Sequence, residues 1–181
     1  MNECRERSGL GVRQFARVLG TSASRLSTYV NGKVSPSAAL LVRAEAIAAE
    51  GPVLRRTRAI DVAKAGRAMR RAADDGTRLR IFLEFMRGAD ESGYFALALL
   101  EPAPKGTGDV RFDALLAAGV EHIAARHSRS APKWATDPSR TLSDPWWVSD
   151  LPSAKAQALQ WTPASFLARG IFLDRRDLES R

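Results

Sequence analysis

Apolar residues recur at three- and four-residue steps along much of this 181-residue chain, and that period predicts helices. Phe15, Leu19, Leu26, Tyr29 and Val30 are spaced to face inward from two short helices. Ala16 is small enough for the two to pass closely, Gly20 can close the first with a positive φ, and Ser22 can cap the second. Ser35-Pro36 reads as the N-cap and first position of a further helix, packed through Leu40, Leu41, Ala44, Ile47 and Ala48. Gly51-Pro52 marks a first break. Helical stretches are predicted over 53–75, ending at Gly76, and over 77–86, breaking near Gly88. A short apolar piece follows from Tyr94 to Leu100, and Pro102 to Gly108 reads as an exposed loop. Asp109 is placed as the N-cap of a long helix with one apolar stripe, Phe112, Leu116, Val120 and Ile123. From Ser128 onward, prolines at 132, 138, 145, 152 and 163 permit only short helices joined by turns. Strand-like alternation is nearly absent, apart from an extended piece at Gly170 to Leu173. The fold class predicted is all-α.

Charge divides the chain. Residues 1–80 hold 16 of the 28 basic and 7 of the 20 acidic residues, a net charge of +9, while residues 81–181 are close to neutral at −1. One end facing a polyanion and one neutral end fit this asymmetry better than a generally basic protein does. Cys4 is the only cysteine, so no internal disulfide can form and no Cys-rich metal site exists. The N-terminus is polar and no run approaches the ~20 apolar residues of a membrane span, so a cytoplasmic protein with no membrane partner is expected.

The stretch Phe15-Ala16-x-x-Leu19-Gly20-x-Ser22-x-x-x-Leu26-Ser27-x-Tyr29-x-Asn31-Gly32-Lys33 resembles the Cro/phage-repressor (Xre) family of helix-turn-helix regulators over about Arg5 to Ala49. Gly11-Val12 departs from the family, which usually has Ser or Thr followed by Gln and so a phosphate-contacting cap. Only eight residues precede Gly9, so the first helix is short and a start codon further upstream is an open expectation. The resemblance implies that Ser22 to Asn31 is a recognition helix lying in the major groove of double-stranded operator DNA. It places Ala23, Ser24 and Thr28 at base-facing positions, with Ser22, Arg25 and Ser27 close by. Arg25 alone here could grip guanine bidentately, and a phosphate contact is the equal alternative. Asn31 and Lys33 match positions that touch the DNA backbone, though Asn31-Gly32 also reads as a plain helix stop. A homodimer is implied, because one such module offers few base contacts. The organisation expected is a DNA-binding unit at 1–52, basic connecting helices at 53–90, and a helical partner-binding or oligomerisation region at 91–181.

In the connecting region, Arg56, Lys64, Arg67, Arg70 and Arg71 fall within roughly a third of a helical circumference, with Arg55 and Arg58 nearby. Val62, Ala65, Met69 and Ala72 lie opposite. Either phosphate contacts, a DNA-side dimer seam or an ordinary solvated face accounts for such a ridge. The four tryptophans, Trp134, Trp146, Trp147 and Trp161, all stand in the last 48 residues, as core or as interface. The Pro-rich segment cannot build a deep core alone, so part of it should lie across the helices of 53–127 or across another protein. The segment from Trp146 to Leu178 is similar to the tails of actinobacterial antitoxin-type regulators. That likeness implies a toxin protein as partner, with nucleotidyltransferase toxins of the abortive-infection type as one candidate.

No enzyme signature emerges. His122 and His127 are five apart, do not share a helix face, and are expected at the surface. Gly106-Thr107-Gly108 lacks the Lys-Ser/Thr of a phosphate loop, and no Gly-x-Ser-x-Gly elbow occurs. No catalytic residue, metal or cofactor is expected. The functional expectation is a sequence-specific transcriptional repressor, an antitoxin within that class. The alternative is an adaptor or antitoxin whose helix-turn-helix does not read sequence.

Overall fold

Two hydrophobic cores organise the chain. The computed structural model describes residues 1–54, 61–92 and 96–179. Its regular structure is helical, apart from one pair of two-residue strands among the described residues. Arg55, Arg56, Arg58 and Tyr94 lie outside the described residues.

The first core joins α1 (Asn2–Ser8), α2 (Val12–Leu19), α3 (Ala23–Val30) and α4 (Ala38–Leu54). Phe15, Ala16, Val18 and Leu19 from α2 meet Leu26 of α3 and Ala44, Ile47 and Ala48 of α4. Cys4 of α1 joins them, and its buried Sγ donates to Glu45 Oε1 at 3.2 Å. Burial pushes that thiol upward, so it stays protonated. The inward set predicted for this unit needs three corrections. Val30 and Leu41 are each 39% exposed, and Tyr29 is half-buried outside this core. Val18 takes the inward place instead, because α2 buries two adjacent residues at its C-terminal end. The start of α4 also moves: Ser37, not Ser35, caps it, its Oγ accepting Leu40 N–H at 3.3 Å. The predicted break at Gly51-Pro52 is not a helix end, since α4 runs on to Leu54. Pro52 removes one N–H bond near the end of a helix whose earlier turns are already pinned by Ala44, Ile47 and Ala48.

The second core is built around α8 (Val110–Arg126). Asp109 caps it as predicted, accepting Arg111 N–H at 2.8 Å. Its burial is not a single stripe. Ala114, Leu115, Ala117, Ala118, Gly119 and Ala124 are buried along with the four predicted residues, because other elements cover several sides of it. Two of these are α5 (Val62–Arg71) and α6 (Asp75–Asp90). α5 ends at Arg71 rather than Asp75, and Asp74 caps α6 by accepting Thr77 N–H at 2.8 Å. Gly76 therefore lies in the first turn of α6, and Gly88 lies inside it. Burial of Phe82, Phe85, Met86 and Ala89 outweighs the ~1 kcal/mol cost of a helical glycine. Gly119 marks the α6–α8 crossing: a Cβ there would stand 2.6 Å from Met86 Sδ and 2.8 Å from Phe82 Cε2. The loop before α8 is less exposed than predicted, since Pro104 and Thr107 are buried in it. α7 (Ala96–Leu100) contributes Ala96 and Leu100 to the core.

The tail wraps this assembly, as its proline spacing required. A 3₁₀ turn at Pro138–Arg140 precedes β1 (Trp146–Trp147), α9 (Pro152–Trp161), α10 (Ala164–Leu167), β2 (Ile171–Phe172) and α11 (Arg175–Leu178). The predicted extended piece is β2, paired in parallel with β1 in the register Trp146 to Ile171 and Trp147 to Phe172. Phe166, Ile171, Leu173 and Ala135 join the core of α5, α6 and α8. Arg169 fastens the tail to α8. Its guanidinium is buried and donates to Glu121 Oε2 at 3.0 and 2.7 Å, to the Arg140 carbonyl at 3.0 Å and to the Ala135 carbonyl.

Trp146 meets Phe112 edge to face at 5.3 Å, and Trp147 stacks on Phe172 at 4.4 Å. Trp134 donates its indole N–H to the Leu100 carbonyl at 3.1 Å. These three pack within the chain. Replacing both Trp146 and Trp147 by Ala should lower stability by about 2 kcal/mol or more through lost packing. Thermal melting checks this, and an unchanged melting temperature would show that neither ring packs as described.

His122 corrects the expectation of two surface histidines. It is half-buried, its ring 5.8 Å from Phe166, and burial, aided by Arg126, holds its pKa below the ordinary value against the pull of Asp90 and Glu179. A depressed histidine favours folding above its unfolded pKa, and that contribution is lost as pH falls. Stability should therefore decline below about pH 6.5. The decline should flatten in His122→Leu, as melting curves across that range would show.

Candidate nucleic-acid interface

The turn between α2 and α3 is built by local chemistry. Gly20 holds φ 79° and closes α2, its N–H reaching the Ala16 and Arg17 carbonyls. A side chain there would be strained in that backbone region and would meet Arg43 Nη1 at 3.2 Å. Ser22 then caps α3, its Oγ accepting Arg25 N–H at 3.1 Å. Both caps stand where the residue types required them.

α3 buries one residue, Leu26. The remainder of the helix lies at the surface: Ser22, Ser24, Arg25, Ser27 and Asn31 are exposed, and Ala23 and Thr28 half-buried. All eight residues singled out from the sequence fall on this helix or on the turn after it, where Lys33 is exposed as well. Several of the polar groups are tied to one another. Ser22 and Ser24 hydroxyls lie 3.0 Å apart, and Thr28 Oγ1 donates to the Arg25 carbonyl at 2.7 Å. Arg25 Nε donates to Tyr29 Oη at 2.8 Å, which leaves its two terminal nitrogens available and raises its pKa through that bond. Asn31 is the C-cap of α3: its N–H reaches the Ser27 carbonyl at 3.0 Å and its Nδ2 donates to Ser27 Oγ at 3.3 Å. The helix-stop geometry is therefore present at Asn31.

Around α3 the field is of one sign. Between Gly9 and Ala44 stand Arg13, Arg17, Arg25, Lys33 and Arg43 and no acidic residue. Arg13 and Arg17 are exposed on α2, and with Lys33 they make no ion pair or side-chain hydrogen bond among the described residues. Glu6 and Glu45 are engaged by Arg5 and Arg7 at 3.1 and 2.9 Å. Reading α3 alone overlooked Arg13 and Arg17. The run of 38 residues from Arg7 to Ala44 without an acid was the signal that would have found them. Gly11, the N-cap of α2, supplies no side-chain cap. The first-turn N–H groups of α2 thus lack a capping side chain, and with the positive end of the helix dipole they suit a phosphate oxygen. Exposed hydroxyls flanked by partnerless cations can hold a polyanionic backbone and present small polar groups to base edges.

Residues 2–57 match the family described as a helix-turn-helix domain, and the match leaves the rest of the chain uncovered. No curated protein and no solved structure matches the chain. The N-terminal unit is a helix-turn-helix domain, the class of module that places a second helix in the DNA major groove. Among the described residues no helix is long and apolar enough to cross a membrane, and no group of three or more His, Cys, Asp or Glu could hold a metal.

Proposed function

We propose that the protein is a transcriptional repressor that binds double-stranded operator DNA as a homodimer, with α3 as its reading helix and no catalytic step. The observation that carries this reading is a helix held by a single buried leucine, its hydroxyl-bearing face at the surface, set beside Arg13, Arg17 and Lys33, which have no partner among the described residues. Ala23, Ser24 and Thr28 face bases, while Arg13, Arg17, Lys33 and the first turn of α2 hold phosphates. Small hydroxyls give few strong base contacts, so two half-sites spaced by about one helical turn are needed. Footprinting on the DNA upstream of the protein's own gene tests the reading. Two protected patches one turn apart are expected, and uniform cleavage at saturating protein would contradict it.

Within that reading, the tail is the partner-binding part of an antitoxin, and the partner is a toxin protein. Exposed apolar surface favours this over pure packing: Leu151, Leu159, Trp161 and Leu167 are each at least 50% exposed. Of the four tryptophans, Trp161 is the one suited to anchor a partner. Trp161→Ala should melt like wild type and lose capture of the product of an adjacent toxin-like gene. Capture at wild-type strength would remove Trp161 from the contact.

A further inference from the structure

Many arginines of the described chain stand beside carboxylates, though Arg80, Arg87 and Arg140 make no ion pair among the described residues. Arg5 and Arg7 of α1 pair with Glu6 and Glu45, Arg78 of α6 with Asp75, Arg126 of α8 with Asp90, and Arg176 of α11 with Asp174. α2 and α5 differ. Their sequences, VRQFARVL and VAKAGRAMRR, contain no acid. Arg67 and Arg71 of α5 are exposed and, like Arg13 and Arg17, have no partner among the described residues.

The buried side of α5 explains why these charges point outward. Val62, Ala65, Gly66 and Met69 face the second core, which turns Lys64, Arg67 and Arg71 to the surface. Arg70 leaves the ridge: its guanidinium donates to the Lys105 and Gly106 carbonyls and ties α5 to the loop before α8. Arg71 gains from the negative end of the helix dipole. Arg67 has no such support, and Lys64 sits in the first turn, at the positive end, with only the capping Asp61 at 3.9 Å to offset it. Arg67 and Arg71 are also i,i+4 like charges, an arrangement that weakens a helix in isolation. A polyanion laid along the ridge relieves both costs. Eight peptide steps separate Leu54 from Val62, so α5 begins no more than about 28 Å from the end of α4. A duplex bound by the first domain extends over such distances.

We propose that Lys64, Arg67 and Arg71 form a second phosphate-binding surface, which grips the backbone of the duplex held by the helix-turn-helix domain without reading its sequence. The proposal rests on the DNA-binding reading above and extends the contact beyond the matched domain. The test uses the full chain and its Arg67→Gln/Arg71→Gln variant, titrated with one upstream duplex and one shuffled duplex at several salt concentrations. Both side chains are exposed, so the variant should melt like wild type. The log–log salt slope should become shallower by about 1.8, at about 0.9 per lost phosphate contact. The wild-type advantage should accordingly shrink about tenfold between ~50 and ~200 mM salt, equally on both duplexes. An unchanged slope with wild-type binding intact would overturn the ridge and leave the helix-turn-helix reading standing. No binding by wild type to either duplex would overturn both. A variant that keeps its DNA slope but loses binding to anionic phospholipid vesicles would assign the ridge to a membrane surface and overturn the proposal.

Discussion

Ser24→Glu is expected to abolish operator binding while leaving the fold intact or slightly firmer. Ser24 is exposed in the first turn of α3, two residues after the cap. A carboxylate there meets the positive end of the helix dipole, which favours the helix by about 0.3–1 kcal/mol. The same carboxylate would face the DNA. Like charges juxtaposed at an interface cost several kcal/mol, so affinity should fall about a hundredfold or more. Thr28→Glu should lower operator affinity in the same way but without the gain in helix stability, since Thr28 stands in the last turn of α3. Lys33→Ala gives the contrast, a modest loss shared by operator and shuffled DNA, as a phosphate contact requires. Anisotropy titration beside thermal melting separates the two classes. Wild-type operator affinity in Ser24→Glu would mean that α3 does not face the duplex.

The second large effect concerns stability. Arg169→Ala should destabilise the C-terminal region by about 3 kcal/mol, because removing one partner of a buried pair strands the other and frees two carbonyls. Glu121 is partly exposed, which moderates the cost; the Arg140 and Ala135 carbonyls lose their guanidinium donors outright. Arg169→Lys should fall in between, since an ammonium keeps the charge and loses the planar fork. Both should show in melting curves. Binding of DNA by the folded fraction should persist, as Arg169 belongs to the second core's side of the molecule. A wild-type melting temperature in Arg169→Ala would show that this network does not hold the tail.

The parts legible in the sequence were those fixed by local chemistry. Gly20, Ser22, Asp109 and the alternation around Ile171 each act within a few residues, and each stands as read. Errors arose where distant packing decided. Gly88 looked like a break, but Phe85, Met86 and Ala89 around it are buried and the helix continues. α8 looked amphipathic because its alanines are small, and it is covered on several sides by segments far away in sequence. Arg169 gave no sign, since arginine is ordinarily exposed and its carbonyl partners lie about 30 residues away. At the interface, α3 was visible through its caps and Leu26, although Tyr29 and Val30, read as inward, lie outside the core. Arg13 and Arg17 were missed because their meaning lies in the absence of acids around them, not in a motif.

The most direct measurement is the affinity of the full chain for a duplex from upstream of its own gene and for a shuffled duplex of the same composition, across a salt series. Tighter binding to the upstream duplex is expected at every salt concentration, with both affinities falling steeply as salt rises through counterion release. Equal affinity for the two duplexes throughout the series would contradict it.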